Sequence, residues 1–286
     1  MVPYKIIPVI ALLLIFVEGV YALENSPQAE SEESTRADGE NKLQQMSLEE
    51  INRQLENPLS RLWSLVFQEN LTLLKGDRVE NTEVANVFFF QPFLPVPIGR
   101  GKMLAARPVF PIVTNPVFSS EGQQRSSGHV AGFGDMQVMS LLGPDKSDGN
   151  MVGAGATFKF PTATDDVLGE GKYQAGPAVM FFYLGKPWTV GTLVQHWWSF
   201  AGDETRSETS QTDIQYVIRR QIPGAMSIGM GPTISIDWKA GDGNRVTFPI
   251  GLGITKTVRW GSAPIKVRFE PQYSVVRPDD IGSTWN

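Results

Sequence analysis

The chain has 286 residues, a net charge of −5, two histidines and no cysteine. The missing cysteines exclude disulfides and thiol catalysis, and two histidines argue against a histidine-rich metal site. The slightly acidic balance gives no reason to expect a nucleic-acid partner. A mean hydropathy of −0.14 is low for a helical membrane protein, but a membrane β-barrel turns only one face of each strand to lipid.

The first 22 residues have the pattern of a cleavable signal peptide. Lys5 precedes an apolar run from Ile6 to Val17, which is too short to span a membrane comfortably, since about 20 residues are needed. A small-residue cleavage site ends at Ala22. We therefore expect cleavage near Ala22, export, and a final location in the outer membrane of a Gram-negative bacterium.

A polar segment and a short helix are expected next. Residues 23–46 are rich in Glu, Ser, Gln and Asp and predict a disordered acidic periplasmic lead. Ser47 and Glu50 form a capping box, followed by apolar residues at helical spacing, which predicts a short helix within residues 47–57. This helix either plugs the barrel or contacts a partner, or it covers the periplasmic rim, which is the interpretation that we favour.

Residues 58–286 alternate between apolar and polar side chains in long runs, most cleanly between Met226 and Val275. Successive side chains on a strand point to opposite faces, so each run predicts a strand with one apolar and one polar face. Runs of about ten or more residues exceed the usual soluble strand and are typical of transmembrane β-strands. We predict eleven strands, at Leu62–Leu74, Val84–Val96, Lys102–Val113, Val130–Leu142, Met151–Phe160, Tyr173–Leu184, Trp188–Phe200, Thr212–Gln221, Ala225–Lys239, Arg245–Thr257 and Ile265–Val275.

The connections between these runs are alternately long and short. Outer-membrane barrels have long outside loops and short periplasmic turns, and both termini lie in the periplasm, so the strand number is even. Eleven strands would leave the C-terminus outside. The sequence therefore predicts an all-β, antiparallel transmembrane barrel with eleven visible strands, in which either the less regular early runs are miscounted or a closing strand is missing from this chain.

Several motifs resemble those of a known family. They are Gly-Phe-Gly-Asp at 132–135, Phe-Pro-Thr-Ala-Thr-Asp-Asp at 160–166, Trp-Ser-Phe-Ala-Gly-Asp at 198–203 and Arg-Pro-Asp-Asp at 277–280. The chain resembles the bacterial outer-membrane transporter-like proteins associated with the meta-pathway of phenol degradation, often mislabelled neuromedin U. The resemblance implies a twelve-stranded barrel and passage of small hydrophobic or aromatic solutes, and it supplies no functional residues. Outer-membrane lipid and the barrel-assembly machinery are the other expected partners.

Polar and charged residues on the polar faces are the candidate site residues. If the apolar faces meet lipid, these residues line the lumen, where an unpaired charge tunes solute preference. The alternative is an internal salt-bridge network that plugs a narrow barrel. A barrel of about twelve strands has an intermediate interior, so both interpretations stay open. The residues are Lys159, Asp213, Gln215, Arg219, Asp237, Lys239, Arg245, Lys266, Arg268 and Glu270.

A predicted outer loop carries an oxygen cluster formed by Thr162, Thr164, Asp165 and Asp166. Oxygen ligands are those that calcium prefers. Two adjacent carboxylates without further spaced ligands favour a solvated loop instead. We therefore expect no metal and no cofactor.

An aromatic run at His196, Trp197 and Trp198 is the last feature of interest. Adjacent strand residues face opposite ways, so an aromatic girdle at the membrane interface explains the run better than a catalytic site. The sequence has no nucleophile elbow and few histidines for a triad, so we expect no enzyme. The alternatives are a structural or adhesive outer-membrane barrel without transport, a secreted β-sandwich binding protein, and an outer-membrane lipase.

Overall fold

The computed structural model describes residues 19–21, 45–118, 126–146, 148–261 and 263–286. Almost all of these residues lie in one antiparallel sheet that closes into a 12-strand β-barrel. The predicted all-β barrel is therefore confirmed. Within the described ranges, no helix has the length and apolar character needed to span a membrane.

Each predicted run corresponds to one strand, with ends that extend a few residues further in most cases. Two of the strands are interrupted at Gly231-Pro232 and at Glu270-Pro271, where proline offers no N–H to the ladder. The strands are β1 (Trp63–Gly76), β2 (Val79–Gly99), β3 (Lys102–Phe118), β4 (Ser126–Phe133 and Met136–Pro144), β5 (Gly149–Phe160), β6 (Lys172–Leu184), β7 (Trp188–Gly202), β8 (Ser210–Ile222), β9 (Met226–Met230 and Thr233–Asp237), β10 (Val246–Gly251 and Gly253–Trp260), β11 (Ala263–Phe269 and Gln272–Val276) and β12 (Gly282–Trp285).

Strand β6 shows how the sequence alternation becomes two faces of the wall. Met180 and Phe182 are buried on the inner face, whereas Phe181 and Tyr183 are exposed on the outer face. Tyr173 is exposed at the other end of the strand. At about 3.3 Å per residue and a tilt of about 40°, the distance from Tyr173 to Tyr183 along the barrel axis is about 25 Å. This matches the apolar band of about 25 Å between the aromatic girdles of outer-membrane barrels.

The barrel closes through β12, which corrects the prediction that a closing strand is missing. Gly282 pairs with Lys75 and Trp285 pairs with Leu73, all in antiparallel register with β1. On the other side, Gln272 of β11 exchanges two backbone hydrogen bonds with Asn286, at 2.8 and 2.9 Å. The four residues of β12 are too few to show a measurable alternation, which is why the sequence pattern missed this strand.

A second short strand, Gly19–Tyr21, covers the other end of β1. It pairs antiparallel with Trp63–Leu65 and lies beside the first segment of β11. The other residues of the predicted signal peptide lie outside the described residues, and so does the predicted disordered lead apart from residues 45 and 46.

Helix α1 (Leu48–Gln54) lies within the range predicted for it. The Ser47 side chain caps it by accepting a hydrogen bond from Glu50 N at 3.1 Å. We call the end of the barrel that holds α1 the helix end, and the opposite end the loop end. α1 contacts β10 and β11 at the helix end, and Ile51 and Asn52 are fully or almost fully buried there.

Candidate functional site

The interior of the barrel is the candidate site, and its helix end is closed by residues 47–62, the plug segment. Thr257 Oγ1 donates to Asn52 Oδ1 at 2.9 Å, and Lys266 Nζ donates to the Asn52 backbone oxygen at 3.3 Å. Thr257 and Lys266 are buried on the inner faces of β10 and β11. The helix therefore plugs the barrel, and the interpretation that it only covers the rim is wrong.

One side of the lumen is apolar, and the plug segment packs against it through Leu59, which is fully buried. Several residues on this apolar side of the lumen are methionines, whose flexible side chains adapt to irregular shapes. A cluster of this kind can accommodate different apolar partners without a change in the backbone. We call it the apolar wall; it consists of Met103, Ala105, Met139, Leu141, Met151, Ala178, Met180, Phe182, Leu184 and Leu193.

The other side of the lumen carries buried ion pairs. Arg219 Nη2 lies 2.5 Å from Glu270 Oε2, and Glu270 Oε1 also accepts a hydrogen bond from Gly231 N at 2.7 Å. Lys266 Nζ lies 3.2 Å from Glu56 Oε1 of the plug segment. Removing one partner of such a pair is costly, because an uncompensated charge is left behind. The Lys266–Glu56 pair fixes the plug segment to β11, whereas the Arg219–Glu270 pair joins β8 to β11.

Glu56 is the carboxylate that joins the plug segment to this polar side. Ser227 Oγ donates to Glu56 Oε1 at 2.8 Å. Burial raises the pKa of Glu56, but the charges of Lys266, Arg219 and Arg268, together with the Ser227 hydrogen bond, outweigh burial and lower it below the usual value. Glu56 is therefore ionised at neutral pH.

A cavity of about 170 Å³ lies between the plug segment and the two sides of the lumen. Met139, Phe182 and Leu193 line its apolar side, and Glu56 and Arg268 line its polar side. The ligand pockets of proteins commonly combine an apolar lining with a few placed polar groups. This cavity has that composition.

Arg107 on β3 also lines the cavity, and its cross-strand neighbour is Met139. Its Nε is buried without a hydrogen-bond partner, and no hydrogen bond or ion pair joins Arg107 to any described residue. Arg107 is not among the residues predicted to line the lumen, because Pro108 and Pro111 interrupt the alternation of β3. A single arginine between the apolar positions of a strand is the signal that was available.

A second polar group lies on the inner face nearer the loop end. Lys159 Nζ sits 4.2 Å from the centroid of the buried Trp197 ring and donates to Gln211 Oε1 at 2.7 Å. Trp197 Nε1 in turn donates to Thr157 Oγ1 at 3.0 Å. Asp213 lies two residues beyond Gln211, on the same face of β8. The lysine is therefore held by an aromatic ring and an amide, close to a carboxylate.

The ten candidate site residues thus fall into three places. Arg219, Lys266, Arg268 and Glu270 lie on the polar side of the lumen, with Gln215 at the cavity. Lys159 and Asp213 lie nearer the loop end, and Asp237 pairs with Gln211 at the end of β9. Lys239 and Arg245 lie in the loops of that end, where they form exposed ion pairs with Glu208 and Asp242.

The residues of the oxygen cluster form hydrogen bonds within their own loop, to β4 and to the loop after β7. Thr162 Oγ1 accepts from Met136 N at 2.8 Å, and Asp165 Oδ1 accepts from Val167 N at 2.9 Å. Thr164 Oγ1 donates to the Phe133 oxygen, and the Asp166 oxygen accepts from Arg206. In the described part of the chain, no group of three His, Asp or Glu residues is placed to hold a metal ion.

The aromatic run on β7 is divided between the two faces. Trp197 is fully buried inside, whereas Trp198 is exposed on the outer face. His196 Nδ1 hydrogen-bonds Thr212 Oγ1 at 2.7 Å, and Trp238 Nε1 donates to the same oxygen at 2.8 Å. This outward group lies near the loop end, where an interfacial girdle is expected.

Comparisons of the chain with protein-family models, with curated proteins and with solved structures gave no match. The fold is therefore the strongest guide to the class of protein. A closed 12-strand barrel with exposed apolar side chains on its outer face fits an outer-membrane barrel protein.

Proposed function

We propose that this protein lies in the outer membrane of a Gram-negative bacterium and lets small hydrophobic or aromatic solutes pass through its lumen. The observation that carries the proposal is the cavity between the apolar wall and the plug segment. The resemblance to transporter-like proteins associated with phenol degradation is a second reason for this proposal. Because α1 closes the helix end, passage requires the plug segment to move.

Two features support a plug segment that can move. Its buried hydrogen bonds and apolar contacts with the strands centre on three residues, Glu56, Asn52 and Leu59. The apolar wall next to Leu59 is rich in methionine, which repacks readily. Displacement of the plug segment therefore needs no rearrangement of the barrel backbone.

The second candidate function is a structural barrel without transport. Two buried ion pairs favour it, because Arg219–Glu270 cross-links β8 and β11 inside the barrel and Lys266–Glu56 holds the plug segment to β11. A barrel locked in this way would pass no solute. The two functions differ in one measurable property, permeability.

Uptake into liposomes that contain the folded full-length protein tests the proposal. We expect benzenesulfonate and 4-toluenesulfonate, whose permanent charge keeps them from crossing the bilayer unaided, to enter faster than into protein-free liposomes, and a neutral sugar to enter no faster. Met139→Gln, on the apolar wall, should slow the uptake of benzenesulfonate, whereas Leu142→Gln, an outward position on the same strand, should not. Rates equal to those of protein-free liposomes for both aromatic solutes would favour the structural barrel.

A further inference from the structure

Arg107 is the cation of the lumen that has no described partner. Met139, Phe182, Leu193 and Phe93 around the cavity are apolar, and the carboxylate in the lining, Glu56, is paired with Lys266. A buried charge is costly unless it is paired and hydrogen-bonded. The guanidinium therefore lacks the partner that its surroundings call for.

The charge balance of this part of the lumen points to an anion. The cationic side chains are Arg107, Arg219, Lys266 and Arg268, and the carboxylates beside them are Glu56 and Glu270. Arg219 and Lys266 are each paired with one of these carboxylates. Neither of these two carboxylates hydrogen-bonds Arg107, so an anionic ligand would supply the counter-charge that Arg107 lacks.

The size of the cavity and its apolar side restrict what the anion can be. A cavity of about 150 Å³ in another protein holds a benzene ring, and this cavity measures about 170 Å³. A guanidinium matches a carboxylate through two parallel hydrogen bonds. The apolar side takes a hydrocarbon body, which an inorganic anion lacks.

We propose that the cavity binds small amphipathic monocarboxylates, with the carboxylate on the Arg107 guanidinium and the apolar body against Met139, Phe182 and Leu193. This inference deepens the proposed function, on which it rests for the role of the lumen. It names a substrate class: aromatic or short aliphatic acids that are ionised at neutral pH.

Equilibrium binding to the folded full-length protein in an uncharged detergent is the test, with benzoate, hexanoate, benzyl alcohol and inorganic phosphate as probes. We expect benzoate and hexanoate to bind at least tenfold more tightly than benzyl alcohol and phosphate. In Arg107→Gln this advantage should fall below threefold while benzyl alcohol binding is unchanged. Arg220→Gln is the matched control, because Arg220 lies over the Trp188 ring, away from the cavity.

Each other result overturns the inference. Benzoate that binds no more tightly than benzyl alcohol, or that keeps its advantage in Arg107→Gln, would show that Arg107 does not recognise a carboxylate. Phosphate that binds as tightly as benzoate would show that the apolar side plays no part. If Arg107→Gln does not fold, Arg107→Met replaces it, and failure of both would show that the guanidinium has a structural partner. Binding without uptake into liposomes would contradict the proposed function alone.

Discussion

Glu56 of the plug segment and Lys266 of β11 form an ion pair inside the barrel, with Oε1 and Nζ 3.2 Å apart and each side chain 1% exposed. The pair joins the plug segment to strand β11. Because both charges are buried, loss of either one leaves the other buried without a counter-charge, which is costly. Substitution of either residue is therefore the most direct way to perturb the closed state of the lumen.

Loss of either charge should destabilise the protein. Lys266→Met leaves Glu56 buried without its ammonium partner, and breaking a buried pair in this way costs about 3–5 kcal/mol. Urea unfolding of the protein in lipid vesicles measures the change. Lys239→Met is the control, because the Lys239–Glu208 pair is exposed and should contribute less than about 1 kcal/mol. Equal effects of the two substitutions would mean that the buried pair does not hold the plug segment.

Acid should loosen the plug segment through Glu56. Its folded-state pKa lies below the ordinary value of about 4.3, so its contribution to stability is present above that pH and is lost as the pH falls through the folded-state value. The unfolding midpoint in urea should therefore drop below about pH 4 in the wild type. In Glu56→Gln the same pH series should be flatter; an unchanged slope would assign the acid sensitivity to other carboxylates.

The outward face of β10 should meet lipid at its middle and the interface at its end. Leu252 is 61% exposed and lies near the centre of the strand, whereas Trp260 is 79% exposed at the helix end. An arginine near the bilayer midplane costs about 2–4 kcal/mol, and one at the interface costs about 0–1 kcal/mol. Leu252→Arg should therefore destabilise the vesicle-bound protein far more than Trp260→Arg. A reversed order would contradict the assigned depth of this strand.

Closure of the barrel should depend on Gly76. A Cβ at this position would overlap the backbone oxygens of Asp279 and Asp280, next to the hydrogen bonds that Asp77 N and Arg78 N donate to these oxygens. Gly76→Val should cost about 1–3 kcal/mol, because added volume forces a tightly packed site to shift. Gly241→Val is the control, since a Cβ there meets nothing within 4 Å. Heat-resistant mobility in a gel separates the two variants if the first opens the seam between β1 and β12.

Much of the fold was predictable because strand alternation is a local property. In β10, Ile250, Leu252 and Ile254 are exposed while Thr255 and Thr257 are buried, as the two-residue period requires. The closing strand β12 was not predictable in the same way. Its four residues form a strand because they pair with β1 and β11, which are distant in sequence, and no local pattern shows such pairing.

The candidate site was predictable only in part. Alternation indicated which face Lys266 and Arg219 occupy, and both are buried inside the barrel. The pairing of Lys266 with Glu56 depends on a contact between residues 210 positions apart, so it could not be found locally. Arg107 was missed because the prolines around it obscure the period of β3.

A reversible lock on the plug segment tests the central claim, that solutes pass through the lumen when this segment moves. The chain has no cysteine, so Asn52→Cys and Thr257→Cys together place a single pair of thiols where the native side chains share a 2.9 Å hydrogen bond. Uptake of benzenesulfonate, which does not cross the bilayer unaided, into liposomes is measured before and after reduction of the disulfide. We expect slow uptake when the disulfide is formed and the rate of the reduced double variant once it is broken. Uptake that is equally fast in both states would contradict the claim, because solutes would then cross without displacing the plug segment.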